Sequence, residues 1–526
     1  MAAARPAKDN HIEAQLWEAA DTLRGSMDAS EYKNVVLGLI FLKYVSDAFD
    51  ARRAELDALL QDPDSEYFFD DYDRGVQFLL ENRDFYLSHN VFWVPAEARW
   101  QELQDAAKQS GLGERIDAAM LAIERENDSL RGVLPSGYAN PTLDQTRLGQ
   151  VVDLIGSIGF TDLEADRDVL GRVYEYFLLK FDAKYGKAAG EFYTPRDVVQ
   201  LMVEMIEPYQ GRVYDPCAGS GGMFVQSANF VRAHGGSIND ISVYGQEFNP
   251  TTWKLAKMNL ALKGIEADLG EQWADTFARP QHPDLRADYI LSNPPYNIDV
   301  WHRDENDPRW AYGVPPKRNS NFAWMQHILH HLAPSGDAAI VMANGTLTSE
   351  QSGEGDIRRK MFEDDIVDCV VTLPTQLFYT TGIPVCLWFF SRSRAGDRNR
   401  RTRQGEVLFI NATGLGRMVS RTNRELTQDD IAKITDTYHV WRGSDSSEQY
   451  AGEPGFCKVA TRDEIEANGY VATPGQYVGT PDVEDDGIPL EEKMAALTAE
   501  LADHFERGAE LEARIRRNLK EVGFDL

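Results

Sequence analysis

The chain has 526 residues, a formal net charge of −30 at pH 7 and four cysteines, with no Cys-x-x-Cys pair. This length predicts two or three domains, and the acidic charge argues against a chain that holds nucleic acid by itself, because Lys and Arg normally neutralise the phosphates. With no signal segment and no apolar run near the ~18 residues of a membrane span, we expect a cytoplasmic protein without disulfides or structural zinc.

The first 170 residues are predicted to be helical. Apolar residues recur at spacings of three and four, first within 16–23 and again within 32–45, which is the period of one helix face. Asp28 or Ser30 is the expected cap of the second helix, since both side chains can accept bonds from free main-chain N–H groups. We therefore expect an N-terminal helical domain over 1–170.

A glycine-rich turn follows the next predicted strand. The strand 212–214 leads into Asp215, and a helix begins after the turn. The turn contains Gly219, Ser220, Gly221 and Gly222. Glycines let the main chain approach a ligand closely, and the strand, turn and helix are typical of a nucleotide-binding α/β fold. The spacing is not G-x-G-x-x-G and no basic residue is near, so a dinucleotide pyrophosphate is not the expected ligand.

Two candidate acidic residues lie between the second predicted strand and the apolar run at 289–292. The strand 241–245 ends just before Glu247, and a carboxylate at the end of the second strand is where a ribose diol is usually held. Asp275 lies in the segment 272–277, ahead of the next strand. Two interpretations of Asp275 stay open, because such an acid either contacts a ligand or caps the turn that follows.

The apolar run 289–292 is followed by Asn293, Pro294, Pro295 and Tyr296. The exocyclic amine of adenine or cytosine is a poor nucleophile, because its lone pair is delocalised into the ring. Two acceptors, the side-chain carbonyl of Asn293 and the main-chain carbonyl of Pro294, would favour a pyramidal nitrogen and localise that lone pair. The prolines stiffen the turn, and Tyr296 offers a face for an unstacked base. The alternative is a proline-rich turn after a buried strand.

Three further features lie downstream of this turn. The helix predicted over 321–332 carries adjacent histidines, which favour packing over a metal site because no carboxylate lies at ligand spacing. The segments 366–373 and 385–390 predict a closing β-hairpin, with Phe378 on the loop between its strands. The run 392–403 contains six arginines and one aspartate, which suits either a solvated loop or a phosphate contact.

A long helix is predicted at the end of the chain, after an acidic linker. Its apolar residues keep near-heptad spacing from Leu490 to Leu519, interrupted at His504 and Gly508. A helix this long is marginal without a partner for its apolar stripe. It packs either onto its own chain or, in the favoured interpretation, onto a helix of a partner subunit, which would make 481–526 a helical assembly tail.

Taken together, these motifs resemble the methylation (modification) subunit of a type I restriction-modification system, an S-adenosylmethionine-dependent DNA adenine-N6 methyltransferase. The segments that carry the resemblance are 16–24, 190–196, 215–224, 244–250, 293–296, 307–316 and 373–384. It implies an α/β fold, with a Rossmann-like methyltransferase sheet between the N-terminal helical domain and the C-terminal helical tail. The catalytic domain would cover 171–480.

The resemblance also implies roles for the site residues. Catalysis falls to 293–296, and Phe378 faces the target base opposite Tyr296. S-adenosylmethionine is held by the glycine turn at its methionine part, by Glu247 at the ribose and by Asp275 at the adenine amine. Thr194 meets the methionine carboxylate. The other residues expected to hold the cofactor are Glu191, Phe192, Tyr193 and Asp215. No metal is expected.

By this resemblance the chain methylates the N6 amine of adenine in double-stranded DNA. A separate specificity subunit reads the sequence, a restriction subunit joins the complex, and two copies of this chain serve each specificity subunit. Two alternatives stay open, namely N4-cytosine methylation, because the same motif presents either amine, and a catalytically silent DNA-binding scaffold, against which the intact motifs argue. An NAD-dependent oxidoreductase shares the Rossmann-like pattern but not the glycine spacing.

Overall fold

The computed structural model describes residues 29–157, 194–378, 384–396, 400–421, 423–443, 450–480 and 490–521. They belong to two units, one up to Val478 and one from Gly479 onward. The first unit contains a hydrophobic core among the N-terminal helices and a second core around a central sheet. The domain boundaries predicted at 170/171 and 480/481 stay predictions.

The described residues 29–157 are mainly helical, as the sequence predicts. Their helices are α1 (Ala29–Gln61), α2 (Tyr72–Gly75), α3 (Asp84–Leu87), α4 (Trp100–Asp105), α5 (Leu112–Glu126) and α6 (Gln145–Gly156). Helix α6 begins where the Asp144 side chain accepts bonds from the N–H groups of Thr146 and Arg147, at 2.9 and 3.2 Å. Asp28, one of the two predicted caps, lies outside the described residues.

Among the described residues, nine strands form one sheet and two more form a hairpin. The strands are β1 (Gly211–Asp215), β2 (Ile241–Gly245), β3 (Ala267–Asp268), β4 (Ala287–Ser292), β5 (Leu332–Ala343), β6 (Val367–Thr372), β7 (Val385–Ser391), β8 (Glu406–Asn411), β9 (Arg417–Met418), β10 (Arg424–Glu425) and β11 (Cys457–Thr461). The sheet order is β3-β2-β1-β4-β5-β7-β6-β8-β11, and β9 pairs with β10. The predicted Rossmann-like α/β fold and the antiparallel pairing of β6 with β7 are confirmed.

Helices cover this sheet and connect its strands. They are α7 (Arg196–Ile206), α8 (Gly222–Ala233), α9 (Pro250–Leu262), α10 (Asn321–His331), α11 (Glu354–Glu363), α12 (Gln428–Arg442) and α13 (Arg462–Ala467). Helix α9 starts where Asn249 accepts a bond from the Thr251 N–H at 2.9 Å, with a proline in its first turn. Leu255 and Met258 of α9 complete the core of the N-terminal helices.

The carboxyl ends of β1, β2 and β4 meet at one edge of the sheet. Strand β1 pairs in parallel with β2 on one side and with β4 on the other. The chain order therefore changes direction at β1, and the crevice outside such a point is where open α/β sheets bind ligands. This edge places Asp215, Gly245 and Ser292 next to each other at the ends of their strands.

Three arginines of the run 392–403 are held by buried aspartates. Arg394 and Arg403 both form ion pairs with Asp368, whose side chain is fully buried. Arg400 pairs with a second buried aspartate at 2.8 Å. Removing one partner of a buried ion pair is strongly destabilising, because it leaves an uncompensated charge. These three arginines therefore stabilise the fold, and their buried guanidinium groups are not available to bind phosphates.

The second unit contains the described helix α14 (Leu490–Glu521), which confirms the predicted helix at the end of the chain. Its exposed apolar side chains are Met494, Leu501, Phe505, Leu511 and Ile515. Phe505, at 70 % exposure, is the most exposed of these.

In the part of the chain that the structure describes, no helix combines the length and the hydropathy of a membrane span.

Candidate active site

The glycine turn after β1 forms one wall of the candidate site. Gly219 and Gly221 have φ values of +54° and +84°, a backbone conformation that favours glycine. A Cβ added to Gly219 would meet nothing within 4 Å, so this residue faces open space. A Cβ at Gly221 would lie 3.2 Å from Leu260 of α9. One glycine therefore opens the turn toward the cavity, and the other lets it pack against the fold.

Asp215 lies beneath this turn and joins the ends of β1 and β4. Its Oδ1 accepts bonds from the Ser292 hydroxyl at 2.7 Å and from the Cys217 N–H at 3.1 Å. Burial raises the pKa of Asp215 to about 6. Burial also raises the pKa of the Cys217 thiol well above its usual value, so the thiol is protonated at neutral pH. Both side chains support the turn from below.

Glu247 connects the end of β2 to the glycine turn. Its two carboxylate oxygens accept bonds from the Gly219 N–H at 3.0 Å and from the Asn249 N–H at 2.8 Å. The side chain also lines the cavity. The carboxylate thus lies between the ends of the first two strands, and its contact with a ribose stays a prediction.

Asp275 caps the turn that follows it and also lines the cavity. Its Oδ1 accepts bonds from the N–H groups of Phe277 and Ala278, at 2.8 and 3.0 Å. The two interpretations drawn from the sequence are therefore compatible, because capping uses one oxygen of the carboxylate. The adenine contact of Asp275 stays a prediction.

Arg309 holds the same turn from the other side, which the sequence did not reveal. Its guanidinium donates to the main-chain carbonyls of Thr276 and Phe277, at 3.0 and 2.9 Å. It is paired with Asp307 and is also 3.0 Å from Nδ1 of His327. Burial holds the pKa of His327 well below its usual value, so this imidazole is neutral. Among the described residues, no cluster of three His, Cys, Asp or Glu is suited to a metal ion.

Asn293 follows β4 directly, with its side chain held in one orientation. Its Nδ2 donates to the hydroxyl of Thr194 at 2.8 Å. Its Oδ1 is buried and has no hydrogen-bond partner within the described residues. Buried polar atoms are normally paired, so an exception calls for an explanation. Because Asn293 lines the cavity, its oxygen is an acceptor available to a ligand there.

The cavity that collects these residues has a volume of about 400 Å³. Its lining includes Gly219, Glu247 and Asp275, which are predicted to hold the cofactor, and Asn293, Pro294 and Pro295 of the predicted catalytic motif. Three lining residues that sequence reasoning missed also carry a buried polar atom without a partner in the described part of the chain: Trp301, Ser320 and Trp324. They come from the long loop after the motif and from α10, and no local pattern marks them.

The two aromatic residues predicted to stack a base lie in the core. Tyr296 and Phe378 are 5 % and 4 % exposed. Burial raises the pKa of the Tyr296 hydroxyl to about 12. Neither residue lines the cavity described above, and their stacking role stays a prediction. The predicted cofactor residues Glu191, Phe192 and Tyr193 lie outside the described residues.

Comparisons with known proteins cover nearly the whole chain. A model of the N-6 DNA methylase family matches residues 165–486, and a model of the HsdM N-terminal domain matches residues 12–155. The chain is 48 % identical over 456 residues to the type I restriction enzyme HindI methylase subunit of Haemophilus influenzae, which covers 82 % of this chain and 100 % of that protein.

Two further proteins show the same similarity. The chain is 39 % identical over 522 residues to the type I restriction enzyme MjaIX methylase subunit of Methanocaldococcus jannaschii, covering 98 % of this chain and 92 % of that protein. The crystal structure of a type I restriction-modification system methyltransferase subunit from Streptococcus thermophilus matches with a TM-score of 0.69 and 25 % identity. That match covers 89 % of this chain and 99 % of the other.

Proposed function

This chain belongs to the N-6 DNA methylase family, and on that premise we propose that it methylates the N6 amine of adenine in DNA as the methylase subunit of a type I restriction-modification complex. The observation that carries the proposal is the buried, unpartnered Oδ1 of Asn293. It lies at the same cavity as the glycine turn and Glu247. An acceptor for an amine and a binding place for a nucleoside therefore occur together.

The residues of the cavity fit S-adenosylmethionine. The open space in front of Gly219 admits the methionine part of the cofactor close to the main chain. Glu247 would accept bonds from the ribose hydroxyls, and Asp275 from the adenine amine. When bound, S-adenosylmethionine supplies a methyl group that its sulfonium activates for transfer.

The chain's own contribution is to orient the target amine and prepare it for reaction. Oδ1 of Asn293 and the main-chain carbonyl of Pro294 accept the two hydrogens of the adenine N6 amine, which localises the nitrogen lone pair. Thr194 holds the Asn293 amide in place through the 2.8 Å bond, and the adjoining prolines have fixed φ values. The rate then comes from position and preorganised electrostatics.

We further propose that Tyr296 and Phe378 stack the extruded base. Their rings are buried, so a base that leaves the duplex must reach them through a rearrangement of the loops around 296 and 378. Base-modifying enzymes read an extruded base between aromatic or apolar side chains. The aromatic residues next to the catalytic asparagine support this assignment.

We propose that a separate specificity subunit reads the DNA sequence and that a restriction subunit joins the same complex. Two copies of this chain would serve each specificity subunit. The net charge of −30 supports this division of labour, because phosphate affinity depends on basic residues. Isolated, the chain is expected to bind S-adenosylmethionine but to bind a specific DNA sequence weakly.

The test is methyl transfer by the purified complex of this chain with its specificity subunit. DNA is incubated with S-adenosylmethionine and its nucleosides are separated by mass spectrometry. We expect N6-methyladenine, and the same complex with Asn293→Ala serves as the control. N4-methylcytosine as the product would contradict the adenine assignment, and absence of both products with bound cofactor would contradict catalysis.

A further inference from the structure

A small hairpin extends from the edge of the sheet that carries the active site. Strands β9 and β10 pair in antiparallel, and the Val419 N–H donates to the carbonyl of Asn423 at 2.9 Å to close the turn. The hairpin follows β8, whose last residue, Asn411, is paired with Thr372 at the carboxyl end of β6. Because β8 and β6 are parallel, the hairpin emerges at the carboxyl edge of the sheet.

The base of this hairpin is bonded to the segments that flank the catalytic residues. The Arg424 N–H donates to the carbonyl of Gln376 at 2.9 Å, two residues before Phe378. The Leu426 N–H donates to Asp197 at 2.6 Å. Asp197 lies three residues after the threonine that holds the catalytic asparagine. The hairpin is therefore attached on both sides to the neighbourhood of the active site.

The hairpin is basic in a strongly acidic protein. From Asn411 to Leu426 the sequence contains three arginines and one acidic residue, Glu425, whereas the whole chain has 54 basic and 84 acidic residues. Arg417 and Arg421 are exposed. Within the described residues, neither guanidinium has a carboxylate within the 4.0 Å of an ion pair. They differ in this from Arg394, Arg400 and Arg403, which pair with buried aspartates.

The third arginine of the hairpin has a structural role. The guanidinium of Arg424 donates to the main-chain carbonyl of Leu415 at 2.9 Å, so it supports the base of the hairpin. Met418 and Val419, at 45 % and 44 % exposure, lie between the two exposed arginines. Arg417 faces Glu425 across the hairpin without an ion pair within 4.0 Å, and the exposed surface presents two guanidinium groups, one on each side of a small apolar tip.

We propose that this hairpin, residues 411–421 and 423–426, contacts the DNA backbone beside the extruded base, with Arg417 and Arg421 on phosphate oxygens. The proposal rests on the proposed function and adds to it the element by which this acidic chain meets DNA. Charge complementarity favours DNA as the occupant, because a guanidinium binds phosphate through paired hydrogen bonds. Position favours it as well, because the hairpin lies at the edge where the target base must arrive.

The test measures DNA affinity as a function of salt for the complex of the full chain with its specificity subunit. In Arg417→Gln/Arg421→Gln, two phosphate contacts are lost. The plot of log K against log salt is therefore expected to become less steep, by about 1–2 per copy of this chain. Affinity is expected to fall roughly tenfold at moderate salt. The KM for DNA rises accordingly, while cofactor affinity by calorimetry and kcat at saturating DNA stay unchanged.

The matched control is Arg232→Gln/Arg462→Gln. Both residues are exposed, and each donates to a main-chain carbonyl, of Lys263 and Glu363 respectively. Arg232 is in the last turn of α8, which leads away from the carboxyl edge, and Arg462 follows the end of β11 that pairs with the amino end of β8. This variant removes the same charge at the opposite edge and is expected to leave the salt slope unchanged.

Three results distinguish a failure of the hairpin proposal from a failure of the proposed function. Equal salt slopes for Arg417→Gln/Arg421→Gln and the parent complex would overturn the proposal. So would loss of the specificity subunit from this variant on size-exclusion chromatography, because the hairpin would then be a protein interface. A parent complex that binds DNA with a steep salt dependence but transfers no methyl group would contradict the proposed function, while the slopes would still decide the role of the hairpin.

Discussion

The Nδ2 atom of Asn293 lies 2.8 Å from the hydroxyl oxygen of Thr194, although the two residues are 99 positions apart in the chain. In the structure the nitrogen of the Asn293 amide faces the threonine, and its oxygen is left without a partner among the described residues. The oxygen is therefore in place before any ligand arrives. Such preorganisation avoids reorientation during the reaction.

Replacing Asn293 by alanine is expected to lower kcat by a factor on the order of 10²–10³, the usual effect of removing one preorganised charge-stabilising group. Cofactor affinity, measured by calorimetry, should stay close to that of the parent protein. A complex with Asn293→Ala that methylates DNA at the parent rate would rule out this residue as the acceptor for the amine.

Replacing Thr194 by valine removes the partner of the Asn293 amide and keeps the shape of the side chain. We expect a fall in kcat of roughly two- to tenfold, in line with a net hydrogen-bond contribution of about 0.5–1.5 kcal/mol. Thr194→Ser keeps the hydroxyl and is expected to retain most of the activity. If the main effect of Thr194→Val were instead a higher KM for S-adenosylmethionine, the predicted contact with the methionine carboxylate would explain it better.

Replacing Glu247 by alanine is expected to weaken S-adenosylmethionine binding by roughly 1–3 kcal/mol, because the ribose hydroxyls lose their acceptor. The Gly219 N–H also loses its partner, so the glycine turn is less well ordered. Glu271→Ala, which changes an exposed acid in the segment before Asp275, is the control. Calorimetry that gives the same affinity for Glu247→Ala and Glu271→Ala would exclude Glu247 from the cofactor site.

The buried carboxyl of Asp215 predicts a pH dependence of stability. Burial raises its pKa from 3.8 to about 6, so the folded protein holds this proton more tightly than the unfolded chain does. The stabilisation from this group is complete below about pH 4 and is lost as the pH rises through about 6.

The isosteric variant Asp215→Asn lacks this titration. Its melting temperature relative to the parent protein is expected to rise between pH 4 and pH 7, because only the parent has to ionise a buried carboxyl. Thermal unfolding at several pH values measures the difference. Parallel curves for the two proteins across this range would show that Asp215 does not titrate as described.

The exposed apolar side chains of α14 are expected to bind a partner subunit. Leu501→Ser/Phe505→Ser removes two of them, at 51 % and 70 % exposure, without affecting the core. We expect weaker assembly with the specificity subunit on size-exclusion chromatography, with cofactor binding retained. Deleting the chain from residue 487 onward is expected to have a larger effect in the same direction. Full assembly of both variants would refute the role of the tail.

The sequence alone was sufficient to locate the strand at 212–214, the glycine turn after it and the predicted catalytic motif, which follows β4. These features are local, because a positive φ requires glycine at Gly219 and an amine acceptor requires an amide or carbonyl at Asn293. The alternation of short strands and helices was enough to predict the α/β class. Glu247 and Asp275 were singled out from their places after the second strand and ahead of β4, and both line the cavity; their contacts with the cofactor stay predictions.

Only the tertiary structure decided which distant residues meet at the site. The Thr194 bond to Asn293 and the Arg309 bonds to the turn after Asp275 join segments that no local pattern relates. The same holds for Arg394 and Arg403, for which the sequence left open a solvated loop or a phosphate contact and the structure shows ion pairs with the buried Asp368. The physical reason is the same in each case, because a side chain's partner and its exposure to water depend on the packing of the whole chain.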